Sequence, residues 1–264
     1  MFDLEAHGPD TFVGIGPRYP WGGLYGGQIV AQALRAATLS VEGGFSPHSI
    51  RAYFIRPGDH TEPVRYEVDR IRNGKSFVTR RVVARQAIGA ILNAECSMHR
   101  GEEAPELQSV AAPRVAPPDS AENTSFSSHF DRRWVTADDS GPGSARDGVG
   151  RTVAWMRVLD PVDDDPVVHQ AWLAYISDDL PTDAVRNARV LAEPSLDGEQ
   201  IFGVSLDHTI WFHRPMRADR WHLHDISCHH LHQGRGLAFG HVFDEDGVHV
   251  ATVAQEVLLR TRRS

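Results

Sequence analysis

The chain has 264 residues, enough for one large domain or two of ordinary size. Its 27 Lys plus Arg against 35 Asp plus Glu give a net charge of −8, the wrong sign for non-specific binding to nucleic acid. With 41% apolar and 23% charged residues and no apolar run near ~18 residues, the composition excludes a disordered chain, a coiled coil and a membrane-spanning helix.

In chain order, Met1-Phe2-Asp3-Leu4-Glu5 lacks the basic and apolar regions of a secretory leader. Only Cys96 and Cys228 are present, too few for a disulfide framework, so a reducing, cytoplasmic setting is expected. From Gly27 to about Ser40, the residues Ile29, Val30, Ala33, Leu34 and Ala37 recur at helical spacing. The other face is mostly Ala, which predicts a helix wrapped by other structure. Strands are predicted at Val64–Val68, Ser76–Ala84 and Ala90–Met98. Residues 102–126, with Pro105, Pro113, Pro117 and Pro118 and few large apolar side chains, read as a linker. Apolar segments resume near Phe130, broken by the polar Asp138-Asp139-Ser140 loop and the acidic turn Asp163-Asp164-Asp165. A second helix is predicted near Val167–Asp178, and strands near Ile210–Phe212, Trp221–Ser227, Leu237–Phe243 and Val248–Leu259.

The halves repeat. Phe54-Ile55-Arg56-Pro57 and Phe212-His213-Arg214-Pro215 are 158 residues apart, as are Gly89 and Gly247, and Gln32-Ala33 matches Gln170-Ala171 at an offset of 138. One buried helix enclosed by an antiparallel sheet, made twice, is the predicted arrangement.

Four features bear on chemistry. Tyr25-Gly26-Gly27-Gln28 opens the first helix, where glycines allow either a ligand on the backbone N–H groups or close helix packing. Asp178, Ser205 and Gln255 stand in the second half where the repeat places Ser40, Pro47 and Ser97 in the first. A carboxylate, a hydroxyl and a carboxamide can together hold and deprotonate a water, although each alone also suits a cap or a turn. His222, His224, His229, His230 and His232 lie near Cys228, a set that suits zinc or a half-exposed strand, and Asp225 with His230 forms a literal D-x₄-H pattern. Arg70, Arg72, Lys75, Arg80, Arg81 and Arg85 form a run without an acidic residue, suited to a phosphorylated ligand or to a solvated sheet face. There is no G-x-S-x-G elbow, no phosphate-binding G-x-x-x-x-G-K-[ST] loop and no dinucleotide fingerprint.

The stretches Tyr25–Leu34, His48–Gly58 and Arg72–Phe77 with Arg80-Arg81-Val82 resemble the acyl-CoA thioesterase II (TesB-type) family. So do Leu206–Pro215, Gly234-Arg235-Gly236 and Val253-Ala254-Gln255-Glu256. The resemblance implies an α+β double hotdog fold, with an N-terminal unit at 1–101, a linker at 102–126 and a C-terminal unit at 127–264. It implies hydrolysis of fatty acyl-CoA to fatty acid and CoA without metal or organic cofactor, and association into a homo-oligomer. By position it assigns Asp178, Ser205 and Gln255 to water activation, with Asp179 as the alternative base. Gly26, Gly27, Arg80 and Arg81 are the expected substrate-binding residues. An enoyl-CoA hydratase using an Asp/His pair, a non-enzymatic acyl-CoA carrier and a zinc protein are the competing expectations.

Overall fold

The computed structural model describes residues 1–135 and 150–261; the Asp138–Ser140 loop lies outside them. Two compact units are present. The first comprises Met1–Leu107, Val162–Ile176 and Thr209–Arg217, and the second Gln108–Pro161, Ser177–His208 and Ala218–Ser264.

The first unit contains β1 (Glu5–Ala6), β2 (Thr11–Gly14), α1 (Gly26–Leu39), β3 (Ser46–Phe54), β4 (Val64–Asn73), β5 (Phe77–Gln86) and β6 (Gly89–His99). Its strands lie in the order β1-β2-β4-β5-β6-β3. Alternation on β4 buries Val64, Tyr66 and Val68 while Arg65 and Glu67 face outward. The register sets Val68 opposite Val82, Val82 opposite Ala94 and Ala94 opposite Ala52, a buried row of small apolar side chains.

α1 is buried almost all round, as its Ala-rich composition predicts. Its two buried amides are satisfied: Tyr19 donates to Gln28 Oε1 at 2.9 Å, Tyr66 donates to Gln32 Oε1 at 2.7 Å, and Gln32 Nε2 donates to the carbonyls of Met1 and Ile15. Residues of α2 (Pro166–Ser177) up to Ile176 belong to this unit. Phe2 packs edge-on against Trp172 with ring centroids 4.8 Å apart, and Tyr25 against Tyr175 at 5.0 Å. Gly27 meets α2 backbone to backbone: a Cβ built there would stand 2.1 Å from the Tyr175 carbonyl oxygen.

The second unit contains β7 (Phe130–Trp134), β8 (Arg151–Val158), α3 (Leu180–Ala192) and β9 (Ile201–Ser205). After the first residues of β10 (Asp207–Phe212) it continues with β11 (His222–His232), β12 (Arg235–Asp244) and β13 (His249–Thr261). The order is β13-β12-β11-β8-β7, with β9 on the other side of β13. The meander β11-β12-β13 flanked by β8 and β9 thus repeats β4-β5-β6 flanked by β2 and β3. The turn between β11 and β12 is Gln233-Gly234, both with positive φ (50° and 76°), which suits the twist of a two-residue hairpin.

The helix on the second sheet differs from expectation. α3 covers it, with Leu180, Ala184 and Val185 buried, and Val185 is seated so closely over Gly236 that a Cβ there would lie 2.2 Å from its Cγ1. The predicted Val167–Asp178 helix forms, but up to Ile176 it packs with the first unit. Residues 180–192 have a mixed polar face and an Asp-Leu-Pro start that resembles a surface turn, although Pro181 also fits the first turn of a helix. The proline-rich segment does more than connect. Val110, Ala112 and Val115 pack on Val153, Leu223 and Phe243, and Trp155 Nε1 donates to the Ala116 carbonyl at 2.8 Å.

His222 and His224 share the buried face of β11, with His222 Nδ1 2.8 Å from His224 Nε2. Ala154, His224, Val242 and Ala251 form one fully buried cross-strand row. Burial lowers the pKa of both imidazoles, that of His222 to about 3. No helix among the described residues is long and apolar enough to cross a membrane.

Two outcomes follow from this packing. Gly27→Ala should destabilise the protein by about 1–3 kcal/mol, because neither backbone can yield, and a urea midpoint equal to wild type would refute the close α1–α2 approach. The unfolded chain protonates His222 below pH 6.5 whereas the folded one resists until about pH 3, so stability is complete above 6.5 and falls with pH through that window. At pH 5 this costs about 2 kcal/mol for His222 alone. The Tm should therefore drop between pH 7 and 5, and less steeply in His222→Phe.

Candidate active site

Gln255 lies in the middle of β13 and is fully buried. β9 runs antiparallel beside it with Ser205 opposite Val257, so Ser205 and Gln255 are diagonal neighbours on one face. Gln255 Nε2 donates to Ser205 Oγ at 2.7 Å. The Ser205 hydroxyl in turn donates to Asp178 Oδ1 at 3.2 Å.

Asp178 stands in the joint between α2 and α3, 6% exposed. Its neighbour Asp179 points elsewhere: its Oδ2 accepts from Arg132 Nη1 on β7 at 2.6 Å. Burial pushes the Asp179 carboxyl up to about 6, an effect that the Arg132 charge opposes. The two adjacent carboxylates therefore have different partners, and Asp178 is the one that meets Ser205.

A fourth residue completes the cluster, and sequence reasoning did not find it. His208 is fully buried, with Nδ1 2.5 Å from Gln255 Oε1 and Nε2 2.9 Å from Ser177 Oγ. Burial lowers its pKa to about 4, with the Gln255 bond acting in the opposite direction, so the ring is neutral at pH 7. Its signal in the sequence is its place in Leu206-Asp207-His208-Thr209, within the second Arg-Pro motif. The backbone that brings Ser205 and His208 to Gln255 is a corner between β9 and β10. There the Leu206 N–H donates to the Glu256 carbonyl at 2.8 Å, and Asp207 Oδ1 accepts the Glu256 N–H at 2.7 Å.

The other predicted residues belong to the first unit. Gly26 and Gly27 form the first turn of α1, with Gly27 against Tyr175 as described above. Arg80 is 2% exposed and has every N–H donor occupied, by Ser40 Oγ, the carbonyls of Ser40, Arg72 and Thr79, and Asn73 Oδ1. It ties the β4–β5 hairpin to the C-terminus of α1, where a cation complements the helix dipole. A cavity of about 530 Å³ opens beside it, lined among others by Glu42, Arg70, Lys75 and Arg100. Arg81 is exposed and paired with Asp69 at 2.5 Å.

The Asp225/His230 pattern does not close into a pair. The residues are five positions apart on one strand, roughly 15 Å, and Asp225 accepts two 2.6 Å bonds from Arg151. Among the described residues no group of three or more His, Cys, Asp or Glu side chains is arranged to hold a metal ion.

A family model described as the acyl-CoA thioesterase N-terminal domain matches residues 16–99, and one described as the acyl-CoA thioesterase C-terminal domain matches residues 103–259. The human protein named acyl-coenzyme A thioesterase 8 is 30% identical, over 99% of this chain and 88% of its own. The crystal structure of an acyl-CoA thioesterase II, TesB2, from Mycobacterium marinum is 33% identical with a TM-score of 0.85, covering 100% of this chain and 96% of that one. A hot dog fold protein from Alicyclobacillus acidocaldarius, at 18% identity and a TM-score of 0.81 over 99% of this chain and 97% of its own, shares the fold. The chain belongs to the acyl-CoA thioesterase family, as a thioester hydrolase with a double hotdog fold.

Proposed function

We propose that the protein hydrolyses fatty acyl-CoA to a free fatty acid and CoA by direct attack of water on the thioester carbonyl. Asp178 is the general base, and Ser205 and Gln255 hold the water. The observation that carries this reading is the hydrogen-bonded set itself: three side chains from a helix joint and two strands, bonded in sequence at 2.7 and 3.2 Å. In the reaction Asp178 takes one proton of the water while the water oxygen bonds to the carbonyl carbon and the C=O π pair moves onto the carbonyl oxygen. The tetrahedral intermediate then expels the CoA sulfur, which receives the proton. A thioester is activated enough for this to proceed without a covalent acyl-enzyme or a cofactor.

Substrate binding is assigned to Gly26, Gly27, Arg80 and Arg81. The N–H groups of Gly26 and Gly27 at the start of α1 have no carbonyl one turn earlier in the helix and suit a carbonyl oxygen of the substrate. Arg80 contributes through charge rather than direct bonds, since its donors are spent and all of them on neutral groups. Together with Lys75 and Arg100 around the cavity it makes a positive field for the phosphates of CoA. The domain boundaries at 101 and 127, self-association of copies and a cytoplasmic location belong to the same proposal; the last is supported by two free, buried cysteines.

The test is release of free thiol from acyl-CoA of graded chain length. Asp178→Asn should lower kcat by about 10²–10⁴-fold, with Ser205→Ala and Gln255→Ala also impaired. Asp179→Asn should stay within about tenfold of wild type, since that carboxylate is bonded to Arg132. Wild-type turnover by Asp178→Asn would overturn the assignment.

A further inference from the structure

We propose that His208 is a positioning residue for hydrolysis: it donates from Nδ1 to the Gln255 carboxamide oxygen and so keeps the amide nitrogen turned toward Ser205 and the water. The inference rests on the function proposed above and adds a residue that acts through Gln255 rather than on the substrate.

The direction of every bond follows from the carboxylate end. An ionised Asp178 can only accept, so the single Ser205 proton goes to it. Ser205 Oγ must then accept from the neighbour 2.7 Å away, which requires the nitrogen of Gln255 on that side. The Gln255 oxygen consequently faces His208 at 2.5 Å, and an oxygen facing a ring nitrogen at that distance needs a proton between them. The neutral imidazole therefore carries its hydrogen on Nδ1 and presents Nε2 as an acceptor to the Ser177 hydroxyl, 2.9 Å away.

An amide side chain has two nearly isosteric orientations, and a buried one is held by its partners. If Gln255 turned over, its nitrogen would face a donor and its oxygen would face Ser205, whose proton is committed to Asp178. Both contacts would be lost in a buried site, where an unmade hydrogen bond is most costly. The second amide hydrogen of Gln255 has no acceptor among the described residues, which leaves it for the water or the substrate. In the first unit Ser97, the repeat partner of Gln255, also bonds to a histidine, His48 at 2.8 Å, but it is a hydroxyl with no amide to orient.

A double-mutant cycle in kcat and KM, with Tm recorded for each variant, tests the proposal. His208→Leu should lower kcat about 10–100-fold with KM changed by less than about twofold. On a Gln255→Ala background the same change should cost less than about twofold, because the residue through which it acts is gone. His208→Asn, whose amide nitrogen can occupy the place of Nδ1, should keep most of the activity, whereas His208→Gln should not. This Asn/Gln comparison decides the matter if the Leu variant fails to fold. Equal losses on both backgrounds, equal activity of the Asn and Gln variants, or wild-type kcat for His208→Leu would overturn the inference. A Gln255→Ala protein with wild-type kcat would instead overturn the reading of the site on which it rests.

Discussion

A carboxylate accepts hydrogen bonds and never donates one, and this one-sidedness at Asp178 organises the polar interior of the second unit. Each neighbour in turn must offer a proton toward it, Ser205 directly and Gln255 through Ser205. A buried chain of this kind tolerates little error, because a donor or acceptor reversed at any point leaves a desolvated group unmatched. Its members come from a helix joint, the end of a strand and the centre of another, so the whole sheet holds their spacing.

The repeat shows what the matching positions do in the other unit. Both units use a three-strand meander with one flanking strand on each side, yet the polar positions serve different ends. In the first unit Ser40 closes the C-terminus of α1 and receives the buried Arg80 guanidinium, while Pro47 lies within β3 and Ser97 bonds to His48. Those contacts hold a fold together. At the matching places of the second unit stand a carboxylate, an alcohol and an amide in mutual contact. The shared strand order accommodates both sets, so the fold by itself does not dictate chemistry.

Much of this was legible in the amino-acid pattern, and the failures have physical causes. α1, α2 and the strands of both meanders follow from periodicity, although Arg80 in β5, His222 and His224 in β11 and Gln255 in β13 interrupt the apolar faces. α3 was missed because its start, Asp179-Leu180-Pro181, carries turn-like residues, and only contact with the sheet makes it a helix. β8 was obscured by Arg151 and Arg157 on its outer face. Asp178 and Asp179 are equivalent as text; they separate only because a helix joint aims one at Ser205 and the other at Arg132. His208 lies in a legible motif, but a histidine in a strand discloses neither its burial nor its tautomer. The Arg80 run read as one basic patch, yet burial divides it into a fully bonded structural cation and an exposed surface pair.

The corner at Leu206-Asp207 has a geometric consequence of its own. In an unbroken strand, side chains three positions apart project from opposite sides of the sheet. Ser205 and His208 are three apart and nonetheless both reach Gln255, which is possible because the Asp207 carboxylate takes the ladder place beside Glu256 and lets the chain reset its alternation. Parity is thus set by one side chain standing in for a peptide group. Straightening this bend at unchanged length would turn the imidazole to the far side of the sheet while leaving both strands intact, so the bend's shape, and not merely its composition, is under constraint.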